Sequence, residues 1–255
     1  MDHLSNRQNE ILLLAREKGR VDVEVLSSTF SVSAQTIRKD LNELCDKQLL
    51  QRVHGGAIVG SGIENVSYEA RRLLAPEAKK AIGTRAAQLI TDNSSLLINI
   101  GTTTEQVAHS LCNHKGLLVI TNNINAVEIM KNFPGVELII AGGQVRRSDG
   151  GIVGVAAVDF INQFKVDYAV IGVSAIDEDG SLLDYDFREV RVAQAIIENA
   201  RHVILVADKM KLERTAPIRI GDIAQIDTIV IDDDLPKKLQ DICSVNGVRV
   251  VKASL

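Results

Sequence analysis

The chain has 255 residues, 45% hydrophobic and 24% charged, with a formal net charge of −4, which is long enough for two domains. No apolar run approaches the roughly 20 residues of a membrane span, and the opening "MDHLSNRQNEILLL" lacks the basic start and long apolar core of a secretory signal, so a cytoplasmic protein without a membrane partner is expected. Cys45, Cys112 and Cys243 are far apart with no CxxC spacing; they support neither a disulfide framework nor a zinc site, and each is expected to be a small buried hydrophobe, with no metal or cofactor.

Residues 5–19, "SNRQNEILLLAREKG", read as a helix with Ile11, Leu14 and Ala15 as its apolar positions and Gly19 closing it. Asp22 is suited to cap a second helix, "VEVLSSTF", in which Leu26 and Phe30 lie four apart. After the turn "SVS", a third helix runs through "AQTIRKDLNELC" with Ser33 at its start, giving a helix-turn-helix. At ~100° per residue, Ile37, Leu41 and Leu44 form its buried stripe. Gln35, Arg38, Lys39 and Asn42 cluster opposite, and such side chains hydrogen-bond base edges and phosphates. A solvated polar face is the alternative for any single helix, but the segments on either side favour recognition. Residues 49–59, "LLQRVHGGAIV", alternate as a strand, turn at Gly55-Gly56 and resume, as a wing would; Arg52 and His54 could then lie along the DNA backbone. Eight basic residues balance eight acidic ones over residues 1–60, so the case for DNA depends on where the charges point.

"FSVSAQTIRKDLNEL" followed by "RVHGGA" resembles the N-terminal signature of the DeoR family of bacterial repressors. The resemblance implies a winged helix-turn-helix over residues 1–58 that binds operator DNA. Ser33–Cys45 would be its recognition helix, and Ser33, Gln35, Thr36, Arg38, Lys39, Asn42, Arg52 and His54 its DNA-binding residues.

"IVGSGIENVS" has no helical or strand period and reads as linker, extending over 59–75. "YEARRLLAPEAKKAIGTRAAQLI" reads as a helix with Pro76 suited to a first turn and Ile82, Ala86, Leu89 and Ile90 on its apolar face. Over 76–255, the apolar strands "LLINI", "LLVIT", "VELIIA", "DYAVIGV", "HVILVA", "DTIVI" and "VRVV" alternate with helical stretches. That pattern predicts an α/β domain with a mostly parallel, Rossmann-like sheet covered on both faces. Ligands of such sheets collect at the carboxyl ends of the strands.

After the first of these strands comes Gly101-Thr102-Thr103-Thr104. One reading is a helix start that holds a phosphate with N–H groups and hydroxyls. The other is a capping box, Thr102-x-x-Glu105, in which the helix satisfies its own first turn. Other strand ends carry Thr121-Asn122-Asn123, Gly142-Gly143 with Arg146 and Arg147, Ser174 with Asp177, then Asp184, Asp186, Arg188 and Glu189, and finally Asp208, Lys209 and Lys211. Hydroxyls, amides, cations and carboxylates together suit a small phosphorylated polyol.

These loops also resemble the effector domain of DeoR-type repressors, which is related in fold to ribose-5-phosphate isomerase; the resemblance covers nearly the whole chain. It implies effector binding through Gly101, Thr102, Thr103, Thr104, Thr121, Asn122, Asn123, Gly142, Gly143 and Lys211; Asp177 and Glu189 join the set as carboxylates of the strand-end loops suited to hydroxyl groups. It further implies a homo-oligomer, dimer or tetramer. The wording is most similar to members that control glycerol metabolism, which implies glycerol 3-phosphate as the effector that releases operator DNA; another sugar phosphate is the alternative. Asn99 stands where many members carry aspartate, and "DKMKLER" replaces their D-x-S-K-F-G-R. The rival from another class is an aldose–ketose phosphate isomerase with Glu189 as general base, assisted by Asp177 and Lys211. A DNA module, for which an isomerase has no use, argues against it, and no enzymatic activity is expected.

Overall fold

The computed structural model describes residues 4–18, 20–47, 49–53, 55–58 and 68–254. They fall into two compact units, 1–73 and 74–255.

In the first unit, helix α1 (Asn6–Lys18) is followed by strand β1 (Arg20–Asp22), α2 (Val23–Phe30), α3 (Ala34–Asp46), β2 (Gln51–Val53), β3 (Gly56–Ile58) and α4 (Tyr68–Leu73). The turn between α2 and α3 is made at Ser31, whose φ of 53° reverses the chain in the left-handed region. Strands β2 and β3 form the expected antiparallel hairpin, and β1 joins it in the order β1-β3-β2. Three residues are too few to show a period in sequence, so β1 was not foreseen. Ile11, Leu26, Ile37, Leu41 and Leu44 are fully buried and form the core of the unit.

The second unit begins with α5 (Pro76–Ala87), β4 (Ser95–Ile98), α6 (Thr102–Ser110), β5 (Leu117–Thr121), α7 (Ile124–Met130) and β6 (Val136–Ile140). The short pair β7 (Gln144–Val145) and β8 (Ile152–Val153) precedes α8 (Val155–Ile161), β9 (Val166–Ile171), β10 (Ala175–Ile176) and β11 (Ser181–Asp184). Then come α9 (Phe187–Glu198), β12 (Ala200–Ala207), β13 (Ile218–Asp222), β14 (Thr228–Ile231), α10 (Lys237–Val245) and β15 (Arg249–Lys252). All seven apolar runs of the sequence are strands of one parallel sheet in the order β15-β14-β12-β9-β4-β5-β6. Its two faces carry separate cores: Leu96, Ile98 and Val119 face Ile82, Val107 and Ala126, while Leu97 and Ile120 belong with Ile161, Ile196 and Leu239.

Three expectations change. The stretch from Tyr68 does not form one helix but breaks between α4 and α5, at Ala75 (φ 45°), because Pro76 has no N–H and disfavours helical backbone before it. Of the expected linker, 59–67 lies outside the described residues and Tyr68–Leu73 is helical. Of the cysteines, only Cys243 is buried; Cys45 is half-buried and Cys112 exposed.

Candidate DNA-facing helix and ligand site

On α3, Gln35, Arg38, Lys39 and Asn42 are exposed, opposite the buried stripe. Ser33 Oγ accepts from Thr36 N at 3.2 Å and lies 2.9 Å from Thr36 Oγ1, so both hydroxyls serve the helix start. Asp40 is turned inward, where it accepts from Arg7 Nε at 2.6 Å and Arg7 Nη2 at 3.3 Å. Glu43 accepts from Gln8 Nε2 at 2.6 Å. These bonds fasten α1 to α3 and turn Asp40 and Glu43 toward α1, leaving amides and cations outward. Arg38 has no ion pair among the described residues, and Lys39 lies 4.0 Å from Glu43. Arg52 is exposed on β2, its Nη1 donating to Gly56 O at 2.7 Å across the hairpin turn. His54 lies outside the described residues.

In the second unit the chain leaves β4 for β5 and β6 on one side, then returns to β9 on the other. The crevice outside the carboxyl ends of β4 and β9 is therefore the switch point, where open parallel sheets bind ligands. Helix α6 starts in that crevice. Gly101, at φ 149°, is its N-cap and makes no side-chain cap bond. Thr104 Oγ1 lies 2.8 Å from both the Asn99 and Gly101 carbonyl oxygens, a donor shared between them that stitches the loop shut. Thr102 and Thr103 are buried, yet their hydroxyls make no hydrogen bond among the described residues. The capping box does not form: Thr102 is the first helical residue, and Glu105 accepts from Asn123 Nδ2 at 3.4 Å and Asn125 Nδ2 at 3.1 Å. The helix start thus leaves its N–H groups and two hydroxyls uncommitted.

At the end of β5, Thr121 Oγ1 donates to Ile98 O at 2.7 Å and accepts from Asn123 N at 3.0 Å. Asn123 Oδ1 caps α7 by accepting from Asn125 N at 2.9 Å and Ala126 N at 3.3 Å. Thr121 and Asn123 therefore build the walls of the crevice. Beyond β6, Gly142 has open space where a side chain would be, and Gly143 sits at φ 150° with Ile152 Cγ2 3.0 Å from where a Cβ would stand.

The loop between β7 and β8 covers these strand ends as a flap. Asn122 Nδ2 donates to Ile152 O at 3.0 Å, Ile152 N donates to Asn122 O at 2.7 Å, and Asn125 Nδ2 donates to Asp149 O at 2.9 Å. Gly151 packs so closely on Ile100 that a Cβ would stand 2.4 Å from its Cδ1. Arg146 ties the flap to α9. It donates to Asp149 in a two-pronged pair (2.9 and 2.6 Å), to Asp186 Oδ2 at 3.1 Å and to Glu189 Oε2. Arg188 Nη2 also donates to Asp186, at 2.8 Å. The flanking arginines, Arg188 first, hold the Asp186 carboxyl well below its ordinary range. Burial, reinforced by Asp184 and only partly offset by Arg146, pushes the Glu189 carboxyl up to about 8.

Residues 7–61 match the DeoR-like helix-turn-helix domain, and residues 74–233 match the DeoR C terminal sensor domain. The chain belongs to the DeoR family. This DeoR-family chain is 42% identical to the glycerol-3-phosphate regulon repressor of Escherichia coli (strain K12), covering 96% of itself and 98% of that protein. Against the repressor of the same name from Haemophilus influenzae the identity is 43%, over 90% and 89%. The HTH-type transcriptional repressor CsqR of Escherichia coli (strain K12) is 38% identical over 92% of each chain. Among solved structures, ribose 5-phosphate isomerase A of Methanocaldococcus jannaschii aligns at a TM-score of 0.40 with 15% identity over 54% of each chain. A Pyrococcus horikoshii translation initiation factor eIF-2B aligns at 0.47 with 16% identity over 89% and 90%.

In this DeoR-family sensor unit the sequence-derived set is only partly brought together. The glycine-threonine loop, Thr121–Asn123 and Gly142-Gly143 end neighbouring strands, β4, β5 and β6. Glu189 is buried under Arg146. Lys211 is half-buried on a 3-10 turn (Lys209–Leu212) after β12. Asp177 stands apart. It is exposed in the β10–β11 turn, its Oδ1 accepting from Glu178 N at 2.7 Å, at the opposite end of that hairpin from Asp184. The constellation that an isomerase would need, Asp177 beside Glu189, is not assembled. Asn125 was missed by sequence reasoning because its role, joining Glu105 to the flap, depends on two loops distant in sequence.

Proposed function

We propose that this chain is a repressor released from operator DNA by a small phosphorylated polyol, glycerol 3-phosphate, bound at the carboxyl end of the β4–β9 crevice. The observation that carries this reading is the helix start at Gly101–Thr103: uncommitted hydroxyls and N–H groups at the switch point of a parallel sheet, a donor-rich place for an anion. Thr102, Thr103 and the backbone would take the phosphate. Lys211 adds positive charge, while Thr104, Thr121 and Asn123 hold the walls. The relatives named as glycerol-3-phosphate regulon repressors support that effector.

Residues 1–58 act as the DNA-binding domain, 59–75 as linker and 76–255 as sensor. Gln35, Arg38, Lys39 and Asn42 meet bases and phosphates, with Ser33 and Thr36 holding the helix start and Arg52 and His54 along the backbone. The protein works as a homo-oligomer, dimer or tetramer, since paired helix-turn-helix units read symmetric half-sites. It acts in the cytoplasm, where a DNA reader meets both DNA and a phosphorylated metabolite. Release requires that the ligand favour one arrangement of the DNA-binding units over another; a hundredfold preference amounts to about 2.7 kcal/mol.

The test is a gel shift on DNA that the protein itself selects from a random pool, titrated with glycerol 3-phosphate. Release in the micromolar-to-millimolar range is expected. Unchanged binding would overturn the effector assignment and leave the DNA-reading assignment standing.

A further inference from the structure

Two buried amide atoms at the carboxyl ends of adjacent strands have no hydrogen-bond partner among the described residues: Asn99 Nδ2 and Asn122 Oδ1. Turning either amide over would not satisfy them. Asn99 Oδ1 accepts from Ile100 N at 2.7 Å, and Asn122 Nδ2 donates to Ile152 O at 3.0 Å, so each flip would break an existing bond. The two residues follow the register pair Ile98↔Thr121 by one step, on parallel strands about 4.8 Å apart. Both are enclosed, at 1% and 0% exposure.

A lone donor at the end of one strand and a lone acceptor at the end of the next make a chemical specification. A phosphate oxygen would satisfy the amide N–H but be repelled by the amide oxygen, and an ammonium would do the reverse. A hydroxyl both accepts and donates. We propose that Asn99 and Asn122 form a subsite that reads the 2-hydroxyl of the polyol effector whose phosphate sits at the Thr102-Thr103 helix start. This rests on the phosphorylated-polyol reading above, and assigns a role to Asn99 that the glycine-threonine loop alone does not. Because Ile152 bonds Asn122 and Gly151 packs on Ile100, the ligand reaches the pair when the flap lifts from α9.

Calorimetric titration of the full chain with four probes tests it: glycerol 3-phosphate, its 2-deoxy analogue 1,3-propanediol monophosphate, dihydroxyacetone phosphate and inorganic phosphate. Glycerol 3-phosphate should bind about tenfold or more tightly than either organic analogue, since both leave a buried group unpaired. In Asn122→Ala that ratio should shrink to within about threefold. Taking ratios between ligands with the same phosphate cancels any effect of the substitution on the helix start. If the wild-type chain binds the deoxy or keto analogue as tightly as glycerol 3-phosphate, the pair serves a trapped water and the subsite is overturned while the phosphate site stands. If no probe binds, inorganic phosphate included, the phosphorylated-polyol reading falls and the subsite with it.

Discussion

The polar face of α3 and the polar crevice of the parallel sheet use similar side chains in opposite ways. On α3 the amides and cations are exposed, and Asp40 and Glu43 are engaged on the α1 side by Arg7 and Gln8. In the crevice the threonines and asparagines are buried and bond mostly to backbone groups of the loops around them, leaving only a few groups open. A DNA reader must present charge to a large, hydrated polyanion. A sensor for a small ligand must instead hold a few donors in place out of water, where each is worth more.

The largest break in that comparison is expected from Arg146→Met. It leaves Asp149, Asp186 and Glu189 without their shared cation and should destabilise the sensor unit by about 3–5 kcal/mol at neutral pH. Urea unfolding followed by a probe in that unit reads this, and the α3 face should be unaffected. Leu41→Ala acts on the other side. Emptying a fully buried core position should cost the first unit about 2–5 kcal/mol and abolish DNA binding, while calorimetric titration still shows ligand uptake.

A pH dependence is expected of the sensor unit. Glu189 has a folded pKa of about 8 against an ordinary 4.5. Folding therefore retains a proton that the unfolded chain releases, and stability falls as pH rises from about 4.5 to 8. Glu189→Gln should flatten that segment of the stability curve. Asp186, held low, contributes stability that is fully present above its ordinary 3.8 and lost as pH falls below it, so the two windows of change do not overlap.

Arg38→Ala should weaken operator binding by about 1–3 kcal/mol if it reads a base, and relax preference at that position, as competition gel shifts would show. The smallest effect is expected from Thr103→Ala. Removing one neutral donor should weaken effector binding by about 0.5–1.5 kcal/mol and raise the concentration needed for release, with operator affinity unchanged. A folded Thr103→Ala protein that no longer binds DNA would remove the division of labour between the two regions.

Much of the molecule was legible in the chain. The stripe Ile37, Leu41 and Leu44 and the opposite polar face follow from 3.6-residue periodicity, and seven apolar runs spaced by helices follow from the burial of both faces of a parallel sheet. What was not legible is where polar side chains point. Thr102-x-x-Glu105 satisfies the capping pattern, yet Glu105 bonds Asn123 and Asn125 across a strand. Asp177 belongs to a suggestive loop, yet the short antiparallel hairpin of β10 and β11 carries it away.

The sequence by itself determined the helix-turn-helix with its hairpin, the seven strands of the parallel sheet and the order of the two units, because hydrophobic period and turn chemistry are local. Only the tertiary structure decided that Arg146 gathers Asp149, Asp186 and Glu189, and that Asn99 and Asn122 share an unmet donor and acceptor. Those facts join residues 3 to 43 positions apart in the chain, and hydrogen-bond satisfaction can be judged only once the neighbours in space are fixed.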